Sequence, residues 1–183
     1  VLIDIPVGPT AKVRSHEAAH KLKTTLINTG KSIGMHVEVV ITDGNEPIGR
    51  GIGPALEAQD VLAVLNNASD APQDLRDKSI YLAAKIMELG GLGEIKSTLL
   101  QAEALLKNGA ALKKFQAICE AQGGLHFPPR APFVHEIVSQ QKGTVSAIDN
   151  RKLAMVAKLA GAPDAASAGV LLNVHLKTEV KVG

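Results

Sequence analysis

The 183-residue chain carries 20 Lys and Arg against 18 Asp and Glu, with 45% apolar residues, 21% charged residues and one cysteine. A chain of this length buries roughly 70% of its unfolded surface without staples, its composition is globular rather than disordered, and its even charge argues against nucleic acid or an anionic membrane as the main partner. No apolar run reaches the ~18 residues of a spanning helix, and the lone Cys119 excludes an internal disulfide and fits a reducing cytoplasm.

Residues 1–6 (VLIDIP) read as an almost unbroken apolar strand, of the kind found inside parallel or mixed sheets. A turn-rich stretch follows, and Ser15 is placed to cap a helix over 16–32 that closes at Gly34. Ala18, Leu22, Leu26 and Ile33 keep helical spacing and predict its buried stripe. Residues 35–42 (MHVEVVIT) alternate and are β-branched, which predicts a strand. Strand, helix and strand in some forty residues form a βαβ pattern with parallel pairing and a right-handed crossover. Pro54 sits at the first position of a predicted helix over 54–65, where its missing N–H costs nothing. Further helices are predicted at 72–89, 95–107 and 110–121, punctuated by glycines.

Three prolines within residues 127–132 (FPPRAP) forbid helix and predict a stiff connector, with a boundary near 125–131. Beyond it the pattern predicts strands at 133–140 and 144–148, a helix at 151–159 capped by Asn150, and strands at 170–176 and 179–182. Both ends read as strands, so the chain is expected to be a fragment whose open edges favour self-association.

Three stretches invite chemistry. His16-Glu17-Ala18-Ala19-His20 matches H-E-x-x-H, in which two histidines one turn apart bind zinc and the Glu activates water. At about 100° per residue the histidines fall between Lys23 and Thr24, a solvated face, and the positions of the extended motif hold Lys23 and Leu26. The loop from Gly49 to Gly53 precedes a helix, where N–H groups can face an anion, but its spacing is not that of a phosphate loop. The alternative is a tight turn for close packing. Gly8-Pro9-Thr10-Ala11-Lys12 lies past the carboxyl end of the first strand, where ligands bind in open α/β sheets. Cys119, with no His nearby in sequence, reads as a small packed residue.

Together, VLIDIPVGPTAKV (1–13), PIGRGIGPALEA (47–58), residues 114–124 and GTVSAIDN (143–150) resemble the thymidine/pyrimidine-nucleoside phosphorylases, in particular their long-form subgroup similar to archaeal AMP phosphorylase. The resemblance covers essentially the whole chain and implies its C-terminal portion. Residues 1–125 are then the later part of an α/β domain, 126–132 a Pro-rich connector, and 133–183 a truncated C-terminal α+β domain of hammerhead type. The implied reaction is phosphorolysis: phosphate attacks C1′ of thymidine, releasing thymine and leaving 2-deoxyribose 1-phosphate. The implied enzyme is a cytoplasmic homodimer with nucleoside and inorganic phosphate as substrates, without nucleic acid or membrane partners.

The family's phosphate motif Lys-His-Ser-x-Gly-Gly is absent, and its base-contacting groups belong upstream, so the resemblance implies no catalytic residue here and an inert isolated chain. It carries over Gly8, Pro9, Thr10, Lys12 and Val13 as a loop flanking the substrate. Short-form members hold an aromatic residue near the position of Lys12. It also carries over Ile48, Gly51 and Asp60 as a monovalent-cation site, with Asp in place of the usual Glu. The alternatives are an AMP phosphorylase releasing adenine and ribose 1,5-bisphosphate, a zinc protease through His16, Glu17 and His20, and a non-catalytic module with Lys177 at a hairpin tip.

Overall fold

The computed structural model describes residues 1–127 and 130–183. In chain order these form β1 (Leu2–Val7), α1 (His16–Ser32), β2 (Glu38–Asp43), β3 (Gly51–Ile52), α2 (Pro54–Leu65), α3 (Gln73–Leu89), α4 (Ile95–Lys107), α5 (Ala110–Ala121), β4 (Gly143–Thr144), α6 (Asn150–Leu159), β5 (Val170–Leu171) and β6 (Glu179–Val180). The class is mixed α/β.

Period-two alternation puts Ile3, Ile5 and Val7 of β1 on one face, with Val39 and Ile41 of β2 beside them. The strands run parallel with Ile3 opposite Val39 and Ile5 opposite Ile41, as the βαβ pattern predicts. Helix α1 starts where the sequence indicates: the Ser15 hydroxyl accepts the Ala18 N–H at 3.2 Å. The core beneath it consists of Ile5, Val7, Ala19, Val37 and Val39, with Leu26 and Ile27 packed against it.

The buried face of α1 differs from the expected stripe. Ala18 and Leu22 are exposed and Ile33 is 68% exposed, whereas Ala19 and Gly30 are buried. The helix meets the sheet through its smallest residues, because those allow the closest approach of two backbones. A Cβ at Gly30 would overlap the side chain of Val37 and crowd the Met35 carbonyl.

Helices α2 to α5 fall within one residue of their predicted bounds. Lys78 of α3 ties this layer to the sheet. Its Nζ lies 2.7 Å from Asp4 Oδ2 and donates to Thr42 Oγ1 at 3.0 Å, while the Thr42 hydroxyl donates to Asp4 Oδ1 at 2.7 Å. Glu88 links α3 to α4, accepting from Lys85 Nζ at 2.8 Å and from the otherwise orphaned Ile95 N–H at 3.0 Å.

The later strands are shorter than the alternation predicts. The segment 133–140 is not a strand; 144–148 is replaced by β4, 170–176 by β5, 179–182 by β6, and 35–42 by β2. A strand persists only where a neighbour completes its ladder. Segment 133–140 has no such neighbour among the described residues, and Phe133, Val134 and Ile137 are more than 80% exposed. Of the proline-rich connector, Pro128 and Pro129 lie outside the described residues.

The C-terminal stretch folds back on the start of the chain. β5 pairs antiparallel with β3 (Gly51 opposite Leu171), and β6 pairs with β4 (Gly143 opposite Val180). Helix α6 packs against both β3 and β5. Its cap is Asp149, whose carboxylate accepts from the Arg151 and Lys152 N–H groups at 3.0 Å each, and not the expected Asn150.

Two predictions follow from this packing. Replacing a helix glycine by alanine ordinarily gains up to about 1 kcal/mol. Gly30→Ala should instead lose about 1 kcal/mol, because overpacking against the stiff Val37 outweighs the propensity gain. A lower denaturant midpoint at unchanged m-value is the expected result, and a gain would contradict the close approach.

Hydrogen bonding to Lys85 holds the Glu88 carboxyl below the ordinary carboxylate value. Its stabilising contribution is therefore present above the unfolded value of roughly 4.3 and is lost as the pH falls through the lower folded value. In Lys85→Met the NMR titration midpoint of Glu88 should rise; an unmoved midpoint would show the pair is not formed.

Candidate functional site

The turn over residues 48–53 is organised by one acid. Leu56, Asp60 and Val64 share a face of α2, so the helix carries the Asp60 carboxylate into the interior, where the residue is only 4% exposed. A buried charge requires partners. Asp60 Oδ2 accepts the N–H of Arg50 at 2.6 Å and of Gly51 at 2.8 Å, and Oδ1 accepts Arg50 Nε at 3.0 Å and Nη2 at 2.9 Å. Both oxygens are thus engaged by N–H donors from a single dipeptide. The Gly49 N–H donates to Asp74 Oδ2 at 2.8 Å, and the Gly53 N–H to Glu57 Oε1 at 3.0 Å.

These bonds overturn a phosphate-loop reading of residues 49–53. The N–H groups that an anion would need at 49, 50, 51 and 53 all point at carboxylates of the chain itself. The sequence is a tight turn held shut by its own acids.

The second element is the loop over residues 8–13, at the carboxyl end of β1. The loop closes through Gly8 N–H to the Val13 carbonyl at 3.2 Å and Ala11 N–H to the Gly8 carbonyl at 3.1 Å. Gly8 is buried against Gly44, past the end of β2, and a Cβ there would overlap the Gly44 carbonyl. Pro9 and Lys12 are exposed, while Thr10 and Val13 are half-buried.

Residues at the start of α6 hold this loop from across the chain. The Asn150 N–H donates to Thr10 Oγ1 at 3.1 Å, and Asn150 Nδ2 donates to the Gly44 carbonyl at 3.0 Å. Arg151 Nε and Nη2 reach the carbonyls of Thr10 and Ala11 at 3.3 and 3.5 Å. Nearby, Glu46 Oε2 accepts the Leu176 N–H at 2.9 Å and lies 3.1 Å from His175 Nδ1. Sequence reasoning missed the role of Asn150. Asp149 and Asn150 are both competent caps, and the choice of Asp149 frees the Asn150 side chain for the Gly44 loop.

Gly8, Pro9, Thr10, Lys12 and Val13 therefore lie together on one loop. Ile48, Gly51 and Asp60 line a separate cleft of about 420 Å³, which Ile52, Leu75 and Asn150 also line. Asn150 is the residue common to loop and cleft, and its buried Oδ1 has no hydrogen-bond partner among the described residues. His16, Glu17 and His20 are exposed on α1, and among the described residues no group of three His, Cys, Asp or Glu could hold a metal ion. Cys119 is free and half-buried. No described helix is long and apolar enough to cross a membrane.

Known proteins match the chain along its full length. It is 54% identical over 183 residues to "Putative thymidine phosphorylase 1" of Acidovorax sp. (strain JS42), covering 100% of the chain and 36% of that protein. A "Putative thymidine phosphorylase" of Ralstonia nicotianae is 52% identical with the same coverage. Another, from Polaromonas sp., is 55% identical over 175 residues, 96% of the chain and 34% of that protein. The chain thus spans about a third of the length of the curated relatives it matches. No protein-family model matches it.

Asp60→Ala should cost about 3 kcal/mol of stability, because it strands two backbone N–H groups and a half-buried guanidinium. The control Asp70→Ala removes only the 3.7 Å contact of a 77% exposed carboxylate with Arg50 and should change stability by less than about 0.5 kcal/mol. Equal effects of the two substitutions in urea denaturation would refute the assignment of Asp60 as the organiser of the turn.

Proposed function

Because the chain belongs to the thymidine phosphorylase family, we propose that the complete protein is a pentosyltransferase that converts thymidine and phosphate to thymine and 2-deoxyribose 1-phosphate. The observation that carries this reading is the 51–55% identity, over 96–100% of the chain, to several relatives that bear the thymidine phosphorylase name. The chain contributes part of such an enzyme, consistent with its spanning 34–36% of those relatives.

The loop over residues 8–13 supports the reading by position, since ligands of α/β sheets bind beyond the carboxyl ends of the strands. Under this proposal Gly8, Pro9, Thr10, Lys12 and Val13 flank the bound nucleoside. Phosphorolysis requires that a phosphate dianion be held in line with C1′ while charge develops on the departing base, so positioning and electrostatics carry most of the rate. The residues that hold phosphate and base are assigned to the remainder of the complete protein, which acts as a cytoplasmic homodimer in nucleoside salvage. The turn at Asp60 braces the loop's surroundings in this scheme and takes no part in bond making.

The test is base release from thymidine by the complete protein, with and without phosphate. The proposal predicts thymine and 2-deoxyribose 1-phosphate in equal amounts, strictly dependent on phosphate, and no reaction by residues 1–183 alone. Thymine release without phosphate would make the enzyme a hydrolase, and turnover by residues 1–183 alone would place the catalytic groups within this chain.

A further inference from the structure

We infer that Asn150 and Arg151 are positioning residues for the nucleoside, acting through the loop over residues 8–13. The inference rests on the proposed function, because it takes that loop to be the one beside the substrate. Its physical basis is independent of that reading. Four hydrogen bonds run from two consecutive residues at the start of α6 to Thr10, Ala11 and Gly44, across separations of 106 to 141 residues. Besides its two internal N–H···O bonds, the Val7–Val13 bridge, and the packing of Gly8 on Gly44 and of Val13 on the core, this contact is what holds the loop tip at Thr10 and Ala11. A surface loop with a proline, exposed polar residues and few apolar contacts sits at the low end of local stability unless something ties it down.

The two bonds made by Asn150 also differ in kind. The backbone N–H fixes the Thr10 hydroxyl as an acceptor, so the hydroxyl proton is turned away from α6 and left available as a donor. The side-chain amide fixes Gly44, the residue against which Gly8 is packed. Arg151 then holds the two carbonyls at the loop tip. The loop is therefore preordered before any ligand arrives, and binding does not have to bear the entropy of ordering it. Removing the clamp should weaken nucleoside capture while leaving the chemical step and phosphate binding nearly intact.

The experiment uses the complete enzyme with Asn150→Ala and, separately, Arg151→Ala, the second guarding against a folding defect in the first. Steady-state kinetics should show KM for thymidine raised about tenfold in Asn150→Ala and severalfold in Arg151→Ala, with kcat and KM for phosphate within threefold of the parent. Amide hydrogen exchange should show Gly8 and Ala11 exchanging at least tenfold faster in both variants, with α4 unaffected. A residue that merely stabilised the fold would instead lower active-enzyme concentration, reducing apparent kcat with KM unchanged. Unchanged KM in both folded variants would overturn the inference, as would unchanged exchange at Gly8 and Ala11. Faster exchange in an enzyme that never releases thymine would instead show the clamp to be real and the proposed function wrong.

Discussion

Burying a carboxylate without a partner is so unfavourable that the backbone around Asp60 has little freedom left. The acid sits on the inner face of α2, flanked by Leu56 and Val64, and its two oxygens take four N–H bonds from Arg50 and Gly51. That demand fixes the direction in which the chain leaves the turn, and the fixed turn presents β3 to β5. Once β3 and β5 pair, Leu172 also donates its N–H to the Arg50 carbonyl at 2.8 Å. The same dipeptide thus meets α2 on one side and the returning C-terminal chain on the other.

The return of that chain brings α6 to the carboxyl ends of β1 and β2. A two-stranded parallel sheet covered by one helix would otherwise leave its connecting loops with little support. Here the Asn150–Arg151 pair and Glu46 supply it, the latter by holding His175 and Leu176. The loop flanking the proposed nucleoside position is consequently built from parts far apart in sequence, and its order depends on the same fold-back that Asp60 makes possible. Under the proposed function, the order of that loop depends on a buried acid some fifty residues away along the chain.

Much of this was legible in the residues. Ser15, Pro54 and the glycines after α1, α3 and α4 mark helix ends by local chemistry, and local chemistry survives in the fold. The pairing of β1 with β2 followed from β-branched runs at either side of one helix. What failed was non-local. The buried face of α1 turned on Ala19 and Gly30, whose value lies in being small, and a count of large apolar residues cannot see that. The strand expected over 133–140 had the right alternation but, among the described residues, no ladder partner beyond the single Gly183 N–H bond to the Ser139 carbonyl. Asp60 was conspicuous as an acid between apolar positions of one helix face, and Arg50 was its nearest cation, so that pair could have been read from spacing. Asn150 could not, because its partners are 106 and 140 residues away.

Asp60 closes the turn by binding its N–H groups. Native-state hydrogen exchange of the Arg50 and Gly51 amides tests this directly, since neither belongs to a helix and the Asp60 carboxylate is the acceptor of both. The account predicts protection comparable to that of the α2 amides, lost in Asp60→Ala. Exchange of both amides at the rate of an open loop in the parent protein would contradict it.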